Sequence, residues 1–241
     1  MMPILRLGNG FAQGTTAAAF SQRKDHFYRS GRGYDMKIQL INGSPNEKGC
    51  TYTALREVAD MLEEANIEVQ ILHLGKKPVA GCIACMSCRK TGRCFIDDQV
   101  NEILEHLDEI DGIIIGSPVY YAAASGQAAS FMDRLYFAGK GRFSGKLGAS
   151  VVSCRRGGAT AAFDQLNKYF TISGMPIVSS MYWNQVHGNT PDEVRQDLEG
   201  MQTMRVLGRN MVWLLQCIEA GKNAGISKPI QEERIDTNFI R

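Results

Sequence analysis

The chain has 241 residues with a composition ordinary for a globular protein and a formal net charge of +2. That length suffices for one α/β domain with additions, or at most two small domains. No apolar run approaches the ~20 residues of a membrane helix, and so small a charge gives no support for nucleic-acid binding. The slight basicity is local. Residues 1–35 hold five Arg or Lys and two Asp, and without them the balance falls to −1. Four of the seven cysteines fall between positions 82 and 94. An odd, crowded set does not suit a secreted disulfide framework; it suits reduced cytoplasmic thiols or a metal site.

Residues 1–35 mix Gly, Ala, Thr, Ser and Arg without sustained periodicity, and residues 1–7 are too short for a signal-peptide core. The segment reads as a disordered leader or as an extension upstream of the natural start. Its Arg content and few acids also admit a mitochondrial presequence. Met36 is the expected start, because Gly31-Arg32-Gly33 can be encoded by a purine-rich stretch like a bacterial ribosome-binding site.

A strand is expected at 37–41, then the polar turn Asn42-Gly43-Ser44-Pro45-Asn46-Glu47-Lys48-Gly49, then a helix over 51–65 with Leu55, Val58, Ala59 and Leu62 on one face. Such a turn gathers backbone N–H groups at the positive end of a helix, with the hydroxyls of Ser44, Thr51 and Thr53 at hand. It can seat a phosphate. The same residues would also serve as a plain βα turn with a capping hydroxyl. No Lys-Ser/Thr follows Gly49 and no Gly-x-Gly-x-x-Gly occurs, so the Walker and dinucleotide-fingerprint readings lose their support.

A second strand is expected at 68–74 and a helix at 97–107, with Asp97 and Asp98 in its first turn. Between them lies Cys82-x2-Cys85-x2-Cys88-x5-Cys94. Four thiolates at that spacing can close on a [4Fe-4S] cluster; zinc would also accept them, and buried structural cysteines are common. Arg89, Lys90 and Arg93 lie among the thiols, where they would offset cluster charge or simply solvate the loop. Strand three is expected at 112–116, followed by Ser117-Pro118-Val119-Tyr120-Tyr121 as a loop able to wall a flat ring. A helix over 126–137 follows, then strand four at 147–153, ending in Cys154-Arg155-Arg156-Gly157-Gly158. A helix over 159–172, strand five at 176–181 and one long final helix complete the pattern. That last helix opens at Thr190-Pro191-Asp192-Glu193, an N-cap with Pro at the first position, and ends near Gly221. Five strands alternating with helices favour a doubly wound parallel sheet in the order 2-1-3-4-5, with ligands at the strands' carboxyl ends.

Gly43-Ser44-Pro45, Gly116-Ser117-Pro118-Val119-Tyr120-Tyr121 and Phe131-Met132-Asp133-Arg134 resemble the flavodoxin-like NADPH-dependent FMN reductases, and within them the branch of the iron-sulfur flavoproteins. The resemblance covers about residues 36–188. It implies a three-layer α/β/α flavodoxin-like domain, expected over 36–221; the residues after it, 222–241, read as a polar tail. It implies that Ser44, Asn46, Cys50, Thr51 and Thr53 hold an FMN phosphate, that Pro118, Val119, Tyr120 and Tyr121 line the isoalloxazine, and that Ser153, Arg155, Gly157 and Gly158 approach its pyrimidine edge. The family commonly has Arg or Lys near Asn46 and Asn at Cys50, and this chain departs from both. Cys82, Cys85, Cys88 and Cys94 match the compact cysteine motif of that branch, which implies a cluster exchanging electrons with FMN.

The function so implied is an NAD(P)H oxidoreductase that passes electrons through FMN to a small acceptor: a quinone, flavin, azo or nitro compound. The flavin then carries the chemistry. One alternative is an electron carrier that uses FMN and a [4Fe-4S] cluster and is served by a redox protein such as ferredoxin. Another is a regulatory protein with a vestigial site. A cytoplasmic homodimer or homotetramer is expected, with no nucleic-acid or membrane partner. His187, placed after strand five, could approach a bound ring or make one loop hydrogen bond. His26, His73 and His106 have no matching partners in sequence and read as structural or exposed. Cys154 beside Arg155 and Arg156 is either an activated thiol or a strand-end residue beside two solvated arginines.

Overall fold

The computed structural model describes residues 36–230 with 232, 233, 235 and 237; the expectations for residues 1–35 lie outside the described residues. The sheet runs β2-β1-β3-β5-β6, all parallel. Its strands are β1 (Lys37–Asn42), β2 (Glu68–His73), β3 (Gly112–Tyr120), β5 (Leu147–Cys154) and β6 (Gln185–His187). A two-residue strand, β4 (Ala123–Ala124), turns back on β3. The helices are α1 (Cys50–Glu64), α2 (Cys88–Thr91), α3 (Gln99–His106), α4 (Gly126–Gly139), α5 (Ala159–Ile172), α6 (Pro191–Gln196) and α7 (Leu198–Asn223).

Strand alternation divides the apolar residues between two cores. Ile38, Leu40, Ile114 and Val151 face one side, under Leu55, Val58 and Leu62 of α1 and Met204, Leu207 and Met211 of α7. Ile41, Ile113, Ile115 and Val152 face the other, under Leu104 of α3, Phe131 and Leu135 of α4 and Phe170 of α5. Each such side chain taken wholly out of water contributes roughly 1.5–3 kcal/mol. The result is a three-layer α/β/α sandwich whose inner strands are buried on both faces. The Met-rich part of α7 is used inside the chain, against α1 and the sheet.

Three expectations need correction. β3 does not stop at Gly116. It continues to Tyr120, pairing with β5 as far as Pro118↔Ser153, and folds back through Tyr121 and Ala122 onto β4. Those two turn residues take φ of +50° and +60°, the sense of twist that suits a two-residue hairpin. The fifth strand is not 176–181. Ile177 makes a single bridge to Gly148, the chain detours outward, and it rejoins as Gln185–His187 beside Val152–Cys154. The Ser180 hydroxyl stabilises the detour, lying 2.6 Å from the Tyr182 carbonyl and 2.7 Å from the Asn184 side-chain oxygen, which share its one proton. The last helix is broken at Asp197, whose φ of −74° and ψ of 80° leave the helical region. Its carboxylate accepts from the Gly200 N–H at 2.9 Å and starts α7 afresh. The expected N-terminus of α6 is present: Thr190 accepts from the Glu193 N–H at 3.2 Å, with Pro191 in the first turn. Among the described residues no helix is long and apolar enough to cross a membrane.

Candidate functional site

The loops after β1, β3 and β5 are neighbours because those strands are adjacent in the sheet. They are also tied together directly. The Gly43 N–H donates to the Gly116 carbonyl at 2.8 Å, and the Ser125 hydroxyl donates to the Gly43 carbonyl at 2.7 Å. A side chain at Gly43 would place its Cβ 2.7 Å from that of Ala128, so this close approach requires glycine. Asn42, wholly buried, shapes the turn from inside. Its oxygen accepts from the Ser44 N–H at 3.1 Å and its amide donates to the Glu47 carbonyl at 3.0 Å. His73 Nε2 lies 2.9 Å from the Ser44 carbonyl. Asn42, His73, Ser117 and Ser125 therefore build this rim. The structural reading of His73 fits its contact with Ser44, 29 residues away; sequence reasoning assigned no such role to Asn42, Ser117 or Ser125, and the Ser125 partner lies 82 residues away at Gly43.

The predicted residues divide by exposure. Asn46 and Tyr120 are exposed, and Tyr121 is fully so. Ser44 is buried, its oxygen accepting from the Asn46 N–H at 3.1 Å. The hydroxyls of Thr51 and Ser153 are buried and lie 2.8 Å apart. Thr53 donates to the Gly49 carbonyl at 3.1 Å. Those three hydroxyls are thus committed to partners within the protein. Pro118 and Val119 are half-buried on the hairpin. Arg155 and Gly157 are exposed. Gly158 has a φ of +88°, and a Cβ there would lie 2.8 Å from Ala122 Cα, so the loop after β5 packs on the hairpin tip. Burial pushes the Cys50 thiol up, with Glu193 adding to the effect and its own backbone opposing.

Helix capping marks out this rim. Asp98, Ser125, Thr190 and Asp197 supply side-chain caps to α3, α4, α6 and α7, while the single-turn α2 has none. The helices that follow β1 and β5 begin instead at Gly49 and Gly158, with no side-chain cap. Their leading N–H groups and positive dipole ends are left for another acceptor, as an anion would supply. No acidic residue occupies the first turn of either helix.

Beside the rim, burial pushes the Cys154 thiol up. Its hydrogen bond to the Arg156 carbonyl opposes this and Asp197 reinforces it. Arg155 and Arg156 are exposed, so the structure favours the strand-end reading over an activated thiol. His187 Nδ1 lies 3.5 Å from Cys154 Sγ, and the His187 N–H donates to Asp197 at 2.6 Å.

All four clustered cysteines line one pocket, together with Ile83, Met86, Phe95, Phe137 and Arg134. Positive φ at Ala84, Met86 and Gly92 curls the segment round it. Cys82 and Cys85 are exposed, Cys88 and Cys94 half-buried. Among the described residues no three Cys, His, Asp or Glu side chains could hold a single metal ion. An all-thiol lining with no carboxylate in it is the donor set a thiolate-bound cluster takes. The Asn101 side chain holds Cys94 by its backbone, at 2.8 Å to the N–H and 3.0 Å to the carbonyl.

Residues 36–190 match the model of the NADPH-dependent FMN reductase family. The chain is 33% identical to an iron-sulfur flavoprotein of Methanocaldococcus jannaschii, over 76% of this chain and all of that one. Among solved structures, RosB with bound 8-demethyl-8-formylriboflavin-5′-phosphate aligns with a TM-score of 0.60 at 13% identity, over 85% of this chain and 92% of that one. An NAD(P)H:quinone oxidoreductase from Methanothermobacter marburgensis aligns at 0.55 and 15% identity, over 73% and 96%. These two likenesses show the flavodoxin-like fold. The matched family and the iron-sulfur flavoprotein relative together place this chain in the NADPH-dependent FMN reductase family, in its iron-sulfur flavoprotein branch.

Proposed function

We propose that this chain is an FMN-dependent oxidoreductase that takes electrons from NAD(P)H and delivers them to a small acceptor such as a quinone, flavin, azo or nitro compound. The observation that carries this is the pair of helices left uncapped at Gly49 and Gly158, on the loops either side of the β3 hairpin. Bound FMN supplies hydride and single-electron transfer.

The protein's own residues bind and orient. The turn of Ser44 and Asn46, with the leading backbone N–H groups of Cys50 and Thr51, holds the phosphate, and Thr53, whose N–H donates to the Gly49 carbonyl at 3.0 Å, shapes the turn behind it. Pro118, Val119, Tyr120 and Tyr121 flank the ring system. Ser153, Arg155, Gly157 and Gly158 meet its polar edge. The exposed aromatic face of Tyr121 suits a homodimer or homotetramer in which a second subunit covers the ring. Stoichiometric FMN in the purified protein, bleached by NADH or NADPH, supports the proposal. Colourless protein that takes up no FMN overturns it.

One observation favours a second centre. Four cysteines face one pocket, and they would hold a [4Fe-4S] cluster with a redox protein such as ferredoxin as the electron partner. Iron and sulfide assays on protein purified under argon test this, four of each per chain being expected.

A further inference from the structure

Sequence order makes Arg89, Lys90 and Arg93 the cations beside the thiols. The fold uses them otherwise. Arg89 and Lys90 are exposed, and Arg93 pairs with Glu105 and Asp97. The guanidinium that reaches a thiol belongs to Arg134 on α4, 40 residues beyond Cys94. Arg134 is 1% exposed. Its Nε–H donates to Cys94 Sγ at 3.2 Å. Its two Nη groups donate to the Asp98 carboxylate at 2.7 and 2.8 Å. They also donate to the Ile96 carbonyl at 2.8 Å and the Ala80 carbonyl at 3.3 Å. One side chain thus grips the chain just before Cys82 and just after Cys94, and touches the last thiol.

A guanidinium buried this deeply is costly unless fully paired. The paired fork faces Asp98, and the remaining Nε–H is the donor aimed at sulfur. A lysine could not replace it, because a single ammonium lacks the planar fork that serves carboxylate, carbonyls and sulfur together.

We propose that Arg134 is a positioning residue for the electron-transfer centre at Cys82, Cys85, Cys88 and Cys94: it fixes both ends of the cysteine segment and, through Cys94, raises the centre's reduction potential. This rests on the proposed cluster. A thiolate-bound cluster carries one more negative charge when reduced. A donor at its sulfur and a cation beside it stabilise that form, and so raise the potential. Asp98 opposes the effect, since its carboxylate offsets the cation. The two residues therefore predict shifts of opposite sign.

The test uses full-length protein, purified under argon and assayed for iron and sulfide, with potentiometric titration followed by electron paramagnetic resonance. Arg134→Lys should lower the midpoint potential of the centre. Asp98→Asn keeps an N-cap for α3 and should raise it. The flavin potential, read optically in the same titration, should move less than that of the centre in both variants. Midpoints in both variants equal to that of the unsubstituted protein overturn the proposal. Should Arg134→Lys hold no iron, Asp98→Asn decides alone: a raised potential supports the proposal, an unchanged one overturns it. Unsubstituted protein that holds no iron and sulfide after reconstitution removes the cluster reading itself. That result is distinct from a loaded centre indifferent to both substitutions.

Discussion

Thr51 Oγ1 on α1 and Ser153 Oγ on β5 lie 2.8 Å apart, both buried, although β3 stands between β1 and β5 in the sheet. Gly116 makes the meeting possible. A Cβ at that position would come within 2.9 Å of the Thr51 methyl group and 2.7 Å of Leu55. One bond thereby couples the loop after β1 to the loop after β5. Thr51→Val leaves the Ser153 hydroxyl buried without a partner, and Ser153→Ala does the same to Thr51. Each should cost about 1–3 kcal/mol. The double variant should cost clearly less than the sum of the two. Urea unfolding of the FMN-free protein measures all three; strict additivity would deny the coupling.

The uncapped start of α1 yields a competition experiment. An Asp at position 49 would cap the helix and place a carboxylate where the phosphate is proposed to sit. Asn46 Cβ stands 2.9 Å from a Cβ at Gly49, so the substitution is best made in an Asn46→Gly background. Gly49→Asp in that background should weaken FMN binding at least tenfold without lowering the melting temperature of the FMN-free protein. Equilibrium dialysis against FMN and a thermal melt report the two halves. Unaltered FMN affinity would place the phosphate elsewhere.

The sequence was legible where one local rule decided the outcome. Short apolar runs of Ile, Leu and Val marked the inner strands, and α5 falls on residues 159–172 as its periodicity requires. Legibility failed where distant partners intervened. Nothing in Ser117-Pro118-Val119-Tyr120 announces that β5 pairs with it as far as Ser153 and that β4 folds back on it. Nothing near Asp197 in sequence shows that its carboxylate accepts from His187 N–H and Gly200 N–H and so interrupts a helical pattern. The candidate site shows the same division. Its loops could be placed by motif. The mutual engagement of Thr51 with Ser153, and of Arg134 with Cys94, spans 102 and 40 residues and leaves no local trace.

Tyr169 predicts an alkaline weakness. Burial first, and the Asp133 carboxylate that its hydroxyl meets at 2.5 Å second, push this phenol well above its usual range. A group raised in the folded state binds its proton more tightly there than in the unfolded chain. Its contribution is complete below the unfolded value of about 10 and is lost as pH climbs toward the folded one. Stability should therefore fall from about pH 10 upward. Tyr169→Phe should flatten that slope while lowering stability at neutral pH. Chemical denaturation at pH 7 to 11 compares the two proteins; parallel curves would count against this assignment.

The cysteine pocket and the rim proposed to hold FMN sit toward opposite ends of α4, and that separation should make them separable by mutation. Ser125 caps the helix at the rim, while Arg134 and Phe137 line the cysteine pocket. Nine residue steps of helix from Ser125 to Arg134 amount to roughly 13 Å. Cys85→Ala removes one thiol from an exposed position and leaves every rim contact in place. The variant should lose most of its iron and sulfide and keep one FMN per chain, with an unaltered visible flavin spectrum. Reduction by NADH or NADPH, which needs only the flavin, should persist in it. Reduction by ferredoxin, if electrons enter through the cluster, should fall at least tenfold. A parallel loss of FMN and iron would instead mean that the cysteine segment supports the rim, and the two sites would have to be treated as one.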